Sequence, residues 1–176
     1  MMIMNLWEEA RIHNSVHLKG QVDLEGAVFI EENVVIESGS ILRGPCYIGK
    51  NSYVGNNTLI RSYSVLGPES TIGYASELKN CVLLGANSIG GLSFVEDSVV
   101  GENVQLGSGI TTVNHWSDFS PIEYNSHGRP VRSNLQKLGA FIGDNAIIGA
   151  RHTLAPGTAI QPNVVIPDNL SLPPSR

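Results

Sequence analysis

The sequence predicts an all-β fold, a parallel β-helix built from six-residue repeats. An aliphatic residue recurs at every sixth position, a small or β-branched residue often stands four positions later, and glycine often follows the aliphatic residue directly. A short fixed period indicates a solenoid, because each repeat can bury its apolar side chain only against neighbouring repeats. The repeated aliphatic residues are Leu18, Leu24, Ile30, Ile36, Leu42, Ile48, Val54, Ile60, Leu66, Ile72, Leu78 and Leu84.

The geometry of such a solenoid gives a rule for placing residues. Three hexads are expected to form one triangular coil, so that residues eighteen positions apart lie above one another at a spacing of about 4.8 Å. Cys46 and Cys81 are then nearly two coils apart, roughly 9 to 10 Å, which is beyond the reach of a disulfide. We expect both cysteines to be free thiols.

The repeat pattern divides the chain into five segments. Residues 1–17 are expected to be an N-terminal capping or linker segment, in which NLWEEARI could form one or two helical turns capped by Asn5. Coils are predicted over residues 18–112 and 140–166, separated by a long excursion loop over 113–139 and followed by a tail over 167–176. The frame slips by four residues at 90–93 and resumes at Phe94, which predicts a small bulge or loop there.

Composition and charge exclude several classes of function. The chain has 19 glycines, 15% charged residues and 6% aromatic residues, a composition that favours turns and strands over a helical bundle. A net charge of -5 without a basic run disfavours a nucleic-acid or membrane partner. The short MMIM start lacks the features of a signal peptide, which predicts a cytoplasmic protein. Two cysteines form no zinc cluster, and His115 and His152 lack a third histidine, so no metal is expected.

Applying the eighteen-residue rule to charged residues identifies a candidate binding site. Arg43, Arg61 and Lys79 fall in one column at the same corner of successive coils. Stacked cations about 5 Å apart repel one another unless an anion or counter-charges lie among them. The column is therefore either a cradle for a phosphate or carboxylate, or a solvated corner that is neutralised by nearby Glu25 or Glu77.

The excursion loop supplies a candidate catalytic group. His115 follows Asn114 at the point where the chain leaves the coil, and a histidine there could deprotonate an acceptor hydroxyl or amine as a general base. The alternative is an ordinary histidine on a surface loop.

Three long runs of the sequence resemble a known family. The runs IRSYSVLGPESTIG, ELKNCVLLGANSIGGLSFVEDSVVGENVQLGSGITTVN and KLGAFIGDNAIIGARHTLAPGTAI are similar to the C-terminal acyltransferase domain of bifunctional sugar-phosphate nucleotidylyltransferases. These are the archaeal-type relatives of the N-acetylglucosamine-1-phosphate uridylyltransferase/glucosamine-1-phosphate acetyltransferase. The resemblance covers about residues 20–166, and it implies a left-handed helix. No Gly-rich nucleotide-binding segment precedes Leu18, so nucleotidyl transfer is not expected of this sequence.

The resemblance also implies roles for individual residues. Arg61, Lys79 and Lys137 match basic positions that contact the amino-sugar phosphate, and Asn114 matches an asparagine of the acceptor site. The family's catalytic histidine stands in a segment like HLSYVGDS, where this chain reads GLSFVEDS. Departures from the family pattern are Gly91 at the histidine, Phe94 at the tyrosine and Gln105 at a further asparagine.

Two functions follow from these observations. The first is an acetyl-CoA-dependent transferase that acts on a sugar phosphate or nucleotide sugar, with sites between the subunits of a homotrimer and His115 as the substitute base. The second is a non-catalytic trimeric module that binds a sugar phosphate or scaffolds a separate nucleotidylyltransferase. The presence or absence of a working base discriminates between them.

Overall fold

The computed structural model of the chain describes residues 10–126 and 128–170, and it consists of short strands joined by tight turns. The strands of the solenoid form three parallel sheets of eight, eight and seven strands, and each complete coil contributes one strand to each sheet. This confirms the predicted all-β solenoid and agrees with a left-handed β-helix. Within the described residues, no helix has the length and apolar character needed to cross a membrane.

Each sheet takes every third strand of the solenoid. The first sheet contains β1 (Arg11–Ile12), β4 (Val28–Ile30), β7 (Cys46–Ile48), β10 (Ser64–Leu66), β13 (Val82–Gly85), β16 (Val99–Glu102), β21 (Phe141–Ile142) and β24 (Ala159–Ile160). The second sheet contains β2 (His17–Leu18), β5 (Val35–Ile36), β8 (Tyr53–Val54), β11 (Thr71–Ile72), β14 (Ser88–Ile89), β17 (Gln105–Leu106), β22 (Ile147–Ile148) and β25 (Val165–Ile166). The third sheet contains β3 (Asp23–Glu25), β6 (Ile41–Arg43), β9 (Leu59–Ile60), β12 (Glu77–Lys79), β15 (Phe94–Glu96), β18 (Thr111–Thr112) and β23 (Thr153–Leu154).

The chain turns three times in each coil, and the turns define three corners of the prism. The first corner joins the first sheet to the second, the second corner joins the second sheet to the third, and the third corner leads from the third sheet to the first sheet of the next coil. Small hydroxyl side chains line the inside of these corners. Ser40, for example, is buried, donates from Oγ to the Gly55 carbonyl at 2.9 Å and accepts from the Thr58 amide at 3.3 Å. Such hydroxyls satisfy backbone groups that would otherwise be buried without partners.

The length of the coil changes in the middle of the solenoid. Tyr47 pairs with Val65, eighteen residues on, but Val65 pairs with Val82 and Val82 pairs with Val99, which are steps of seventeen residues. The missing residue lies at the third corner in both coils, because the buried residues Leu78 and Leu83 are five positions apart, as are Val95 and Val100.

This register corrects two details of the sequence prediction. The predicted core positions Leu84 and Phe94 face outward, and Leu83, Ile89 and Val95 are buried in their place. The frame therefore does not slip at residues 90–93. Two single-residue deletions at the third corner produce the same net change, and a six-residue count along the sequence cannot locate them, because Leu83 and Leu84 are both leucine.

The excursion loop contains a small sheet of its own and packs against the solenoid. It contains an antiparallel hairpin of β19 (Glu123–Ser126) and β20 (Arg129–Arg132). The Tyr124 ring lies 5.5 Å from the Phe141 ring of the first sheet. A Cβ at Gly157 would lie 2.6 Å from the Glu123 carbonyl oxygen, and Gly157 has a φ of +74°, so glycine permits both this approach and this backbone conformation.

The start of the chain and the two cysteines bear on further predictions from the sequence. Arg11 and Ile12 form a strand that pairs with β4, whereas most of the predicted N-terminal helix, including Asn5, lies outside the described residues. Cys46 and Cys81 are buried free thiols in one column, with Ser64 between them, as the coil spacing predicts. Burial raises the pKa of both thiols to about 12.

Candidate functional site

The predicted cation column exists at the third corner. Leu42 pairs with Ile60 and Ile60 pairs with Leu78, so the residues that follow them, Arg43, Arg61 and Lys79, stack in consecutive coils. The strands of the third sheet end at this corner, and their last side chains point out of the prism because successive side chains of a strand alternate in direction.

Each cation of the column has an acidic partner. Arg43 Nε lies 2.9 Å from Glu25 Oε2, and Arg61 Nη1 lies 3.0 Å from Glu77 Oε1. These are the counter-charges that the neutralised-corner alternative requires. Both pairs are substantially exposed, and ion pairs of this kind contribute only about 0.2 to 1 kcal/mol. The two carboxylates reduce the repulsion among the stacked cations. Because both pairs are exposed, an incoming anion can still reach the cations.

Lys79 is held more firmly than the two arginines. Its Nζ lies 3.0 Å from Glu96 Oε2 and 3.7 Å from Asp97 Oδ2, and both carboxylates are largely buried. Glu96 and Asp97 belong to the second shortened corner, one coil above Lys79. Lys79 therefore joins the cation column to an acidic pair at the base of the excursion loop.

A cleft of about 400 Å³ gathers the candidate residues at the third corner. This volume is within the range of about 300 to 1,000 Å³ that is usual for small-molecule sites. Lys137 enters the cleft from the returning end of the excursion loop, where the Leu138 amide donates to the Asn114 carbonyl at 2.8 Å. Among the described residues, Lys137 forms no ion pair. The cleft is lined by Arg43, Arg61, Ser62, Tyr63, Lys79, Asn80, Asp97 and Lys137.

A chain of three polar side chains lies beside this cleft. Asn114 is buried, and its Nδ2 donates a short hydrogen bond to Asp97 Oδ2. Asn114 Oδ1 lies 2.6 Å from His115 Nδ1. The His115 ring stacks on Phe119, with ring centroids 5.1 Å apart and planes inclined by 10°. His115 is thus held on two sides by the loop and the corner, unlike an ordinary surface histidine.

Asp97 is a site residue that sequence reasoning missed. It accepts hydrogen bonds from Asn80 Nδ2, at 2.5 Å, and from Asn114. Its backbone carbonyl accepts from the Gly139 amide at 2.8 Å, where the loop returns. A Cβ at Gly139 would overlap the Glu96 carbonyl oxygen, so only glycine fits this junction. The eighteen-residue rule, applied to acidic as well as basic residues, would have placed Asp97 beside Lys79.

The positions that depart from the family pattern lie elsewhere on this chain. Gly91 is at the second corner, Phe94 begins β15 of the third sheet, and Gln105 faces outward on the second sheet. A Cβ at Gly91 would lie 2.7 Å from Cε1 of the Tyr74 ring. Tyr74 therefore packs over the place where a family histidine would begin, and the third-corner cleft contains none of these three residues.

No metal site accompanies the cleft in the part of the chain that the structure describes. No group of three or more His, Cys, Asp or Glu side chains there could hold a metal ion. His152, the other histidine considered as a ligand, lies at the second corner, with Nε2 2.8 Å from the Pro167 carbonyl oxygen.

Comparison with known proteins gives matches along the solenoid. The family described as the GMPPB C-terminal domain matches residues 42–117. The chain is 39% identical over 97 residues to the bifunctional protein GlmU of Methanococcus maripaludis, which covers 55% of this chain and 23% of that protein. It is 37% identical over 92 residues to the bifunctional sugar-1-phosphate nucleotidylyltransferase/acetyltransferase of Sulfurisphaera tokodaii, covering 52% of this chain and 23% of that protein. The matched part is thus about a quarter of the length of these relatives.

Solved structures give a more distant likeness. Perosamine N-acetyltransferase from Caulobacter crescentus, in complex with CoA and GDP-perosamine, is 15% identical with a TM-score of 0.40, over 89% of this chain and 51% of that one. The six-residue repeat and the three-sheet solenoid agree with these sequence matches, and over about half of its length the chain is similar to bifunctional sugar-1-phosphate nucleotidylyltransferase/acetyltransferases.

Proposed function

We propose that the chain is an acetyl-CoA-dependent transferase that acts on a sugar phosphate or a nucleotide sugar at the third corner. One observation carries the proposal: a single cleft brings Arg43, Arg61, Lys79 and Lys137 together, and hydrogen bonds through Asp97 and Asn114 link this cleft to His115. The names of the matched relatives, which include a bifunctional sugar-1-phosphate nucleotidylyltransferase/acetyltransferase, support the same reaction class.

The cleft can bind an anion despite its ion pairs. A phosphate oxygen accepts charge-assisted hydrogen bonds worth about 1.5 to 3 kcal/mol each, whereas the exposed pairs it displaces contribute about 0.2 to 1 kcal/mol. Arg61 can offer a two-pronged contact, and Lys137 can offer an ammonium that forms no ion pair with the other described residues. Lys79 is more firmly paired with Glu96. We therefore propose that Lys79 keeps this ion pair when the phosphate binds and adds positive charge to the cleft from there.

His115 is the base in this proposal. Its Nε2 removes the proton from the acceptor amine or hydroxyl while the acceptor attacks the thioester carbonyl of acetyl-CoA. The new C–N or C–O bond forms, the C–S bond breaks, and the proton passes to the departing CoA thiolate. The phosphate contacts hold the acceptor in place during these steps.

We also propose that the active form is a homotrimer. An apolar column runs along the outward face of the first sheet, where Val65 and Val99 are 37% and 41% exposed. Burying such a face about a threefold axis would remove it from water. Light scattering should give three times the mass of the chain, and a monomer at micromolar concentration would contradict the proposal. The column consists of Phe29, Tyr47, Val65, Val82, Val99 and Phe141.

The proposed activity can be tested by measuring CoA release from acetyl-CoA with glucosamine-1-phosphate and related amino sugars as acceptors. Release should depend on the presence of the acceptor. His115→Ala should lower turnover by about a hundred- to ten-thousandfold. His152→Ala, at a different corner, is the matched control and should leave turnover unchanged.

The alternative function is a non-catalytic module that binds a sugar phosphate or scaffolds a separate nucleotidylyltransferase. The comparisons do not favour it, since the matched relatives include proteins named as acetyltransferases. Acceptor binding in calorimetry without CoA release from any acceptor would establish it in place of the enzyme. A cytoplasmic location stays a prediction of the sequence.

A further inference from the structure

The hydrogen bonds between Asp97, Asn114 and His115 have a direction that follows from their chemistry. An ionised carboxylate only accepts hydrogen bonds, so the Asn114 amide must present its NH₂ group to Asp97. The amide oxygen then faces His115. Because that oxygen can only accept, Nδ1 of His115 must carry the proton. In the neutral ring, Nε2 is left with a free lone pair.

The surroundings keep this direction from reversing. Asn114 is 1% exposed, so its amide cannot turn towards water without losing its bond to the carboxylate. Asp97 is fixed in turn by Asn80 on its other oxygen and by the Lys79 ammonium, 3.7 Å from Oδ2. The buried carboxylate is thus the one member of the chain whose hydrogen-bonding role cannot change while it is ionised.

We propose that Asp97 is a positioning residue that acts through Asn114 to hold His115 as its Nδ1–H tautomer. In the neutral ring, Nε2 is then the nitrogen that can take a proton. The role of Nε2 as the catalytic base rests on the proposed function. The Nδ1–H tautomer itself rests only on the hydrogen bonds of Asn114. Asp97 touches neither the acceptor amine nor the thioester in this scheme, and its effect passes through one buried amide.

The inference is tested by the ¹⁵N chemical shifts of the imidazole nitrogens, with the His115 signals identified by their loss in His115→Gln. At a pH where the ring is neutral, the wild-type protein should show protonated Nδ1 and unprotonated Nε2. Asp97→Gly should shift His115 towards the Nε2–H tautomer, because Asn114 then has no fixed acceptor. Asp97 has a φ of +46°, and glycine keeps this backbone conformation without strain.

The chain offers a matched control at the neighbouring shortened corner. Asn80 also has a φ of +46°, so Asn80→Gly makes the same backbone change and removes the other hydrogen bond of Asp97. It should leave the His115 tautomer unchanged. The double variant Asp97→Gly with Asn114→Asp places a carboxylate directly against Nδ1 and should restore the Nδ1–H tautomer, which a purely structural role of Asp97 would not predict.

Activity measurements separate this inference from the proposed function. Asp97→Gly should lower kcat towards the loss seen on removing His115 without raising the acceptor KM, because it removes a negative charge from the cleft. An Nε2–H tautomer in the wild-type protein, or an unchanged tautomer in Asp97→Gly, would overturn the inference even if the protein is active. Tautomers that follow the prediction in a protein with no activity would overturn the proposed function and leave the inference standing.

Discussion

The coils before Leu78 are regular, whereas the third corner after Leu78 is not. The candidate site lies where these two regions meet. In the earlier coils every step is eighteen residues and every corner has the same length. At the third corner, two successive coils lose a residue and the next opens into the excursion loop. The regular coils supply a rigid column of side chains, and the irregular ones bring acidic and loop residues to its end.

The shortened corners bring polar side chains together. Asn80 and Asp97 are the left-handed residues of these two corners, each with a φ of +46°, and residues of regular corners such as Tyr63 also adopt this conformation. The Asn80 and Asp97 side chains meet across one coil spacing, and Asp97 also reaches Asn114 at the start of the loop. Repetition thus builds the scaffold, and the acidic and loop residues of the site meet where the repeat is interrupted.

Replacing neighbouring leucines tests where the repeat is interrupted. Leu83 is fully buried and Leu84 is 49% exposed. Leu83→Ala should lower the free energy of unfolding by about 2 to 5 kcal/mol, because it leaves a cavity in the core. Leu84→Ala should change it by less than about 0.5 kcal/mol. Denaturant unfolding of both variants measures the difference. A larger loss of stability in Leu84→Ala would show that Leu84 is the buried residue, as an unbroken six-residue repeat predicts.

Calorimetry of sugar-phosphate binding to two arginine variants compares the end of the column near the loop with the end further from it. Arg61 has a cation on each side and borders the cleft next to Lys79, whereas Arg43 lies one coil further from the loop. Arg61→Ala should weaken the binding of a sugar phosphate by about tenfold or more, the equivalent of one charge-assisted hydrogen bond. Arg43→Ala should have a smaller effect. Equal and negligible effects would show that the column is only a solvated, neutralised corner.

The reactivity of the two cysteines reports on how tightly a regular corner and a shortened corner are packed. Cys46 and Cys81 are both buried, and burial raises the pKa of each thiol from 9.0 to about 12. Neither should react with a thiol reagent at pH 8 in the folded protein, because the thiolate is the reactive form. Rapid modification of Cys81 alone would show that the shortened corner opens.

The same thiols give the stability of the protein a pH dependence. The unfolded chain releases their protons above about pH 9, while the folded protein retains them until about pH 12. Their contribution to stability is therefore fully present below pH 9 and is lost as the pH rises towards 12. Replacing both cysteines by serine should flatten this part of the stability curve, as measured by denaturant unfolding at several pH values.

The fold could be predicted from the sequence because one rule governs most of it. Each aliphatic residue of a hexad must be buried against its neighbours, so the period of six directly gives the solenoid, the cation column and the separation of the cysteines. The two deletions could not be located, because Leu83 and Leu84 are equally apolar and only the backbone pairing shows which one is buried.

The candidate site could be predicted only where it follows the repeat. The coil spacing alone places Arg43, Arg61 and Lys79. Lys137 and Asn114 follow from a family resemblance, and the structure brings Lys137 into the same cleft. The coil spacing also places Asp97 beside Lys79, but the contacts of Asp97 with Asn114 and Gly139 depend on the return of the loop, which has no six-residue signature.

We place the chemistry at the third corner and not at the second corner, where the family resemblance puts Gly91 at the position of the catalytic histidine. CoA release by Gly91→His with Phe94→Tyr tests it most directly, with Tyr74→Ala added because the Tyr74 ring would otherwise meet the new side chain. We expect the wild-type protein to be active, the rebuilt second corner to give no faster transfer, and His115→Ala to abolish most of the activity in both. An inactive wild-type protein that gains transfer when the second corner is rebuilt would contradict the account.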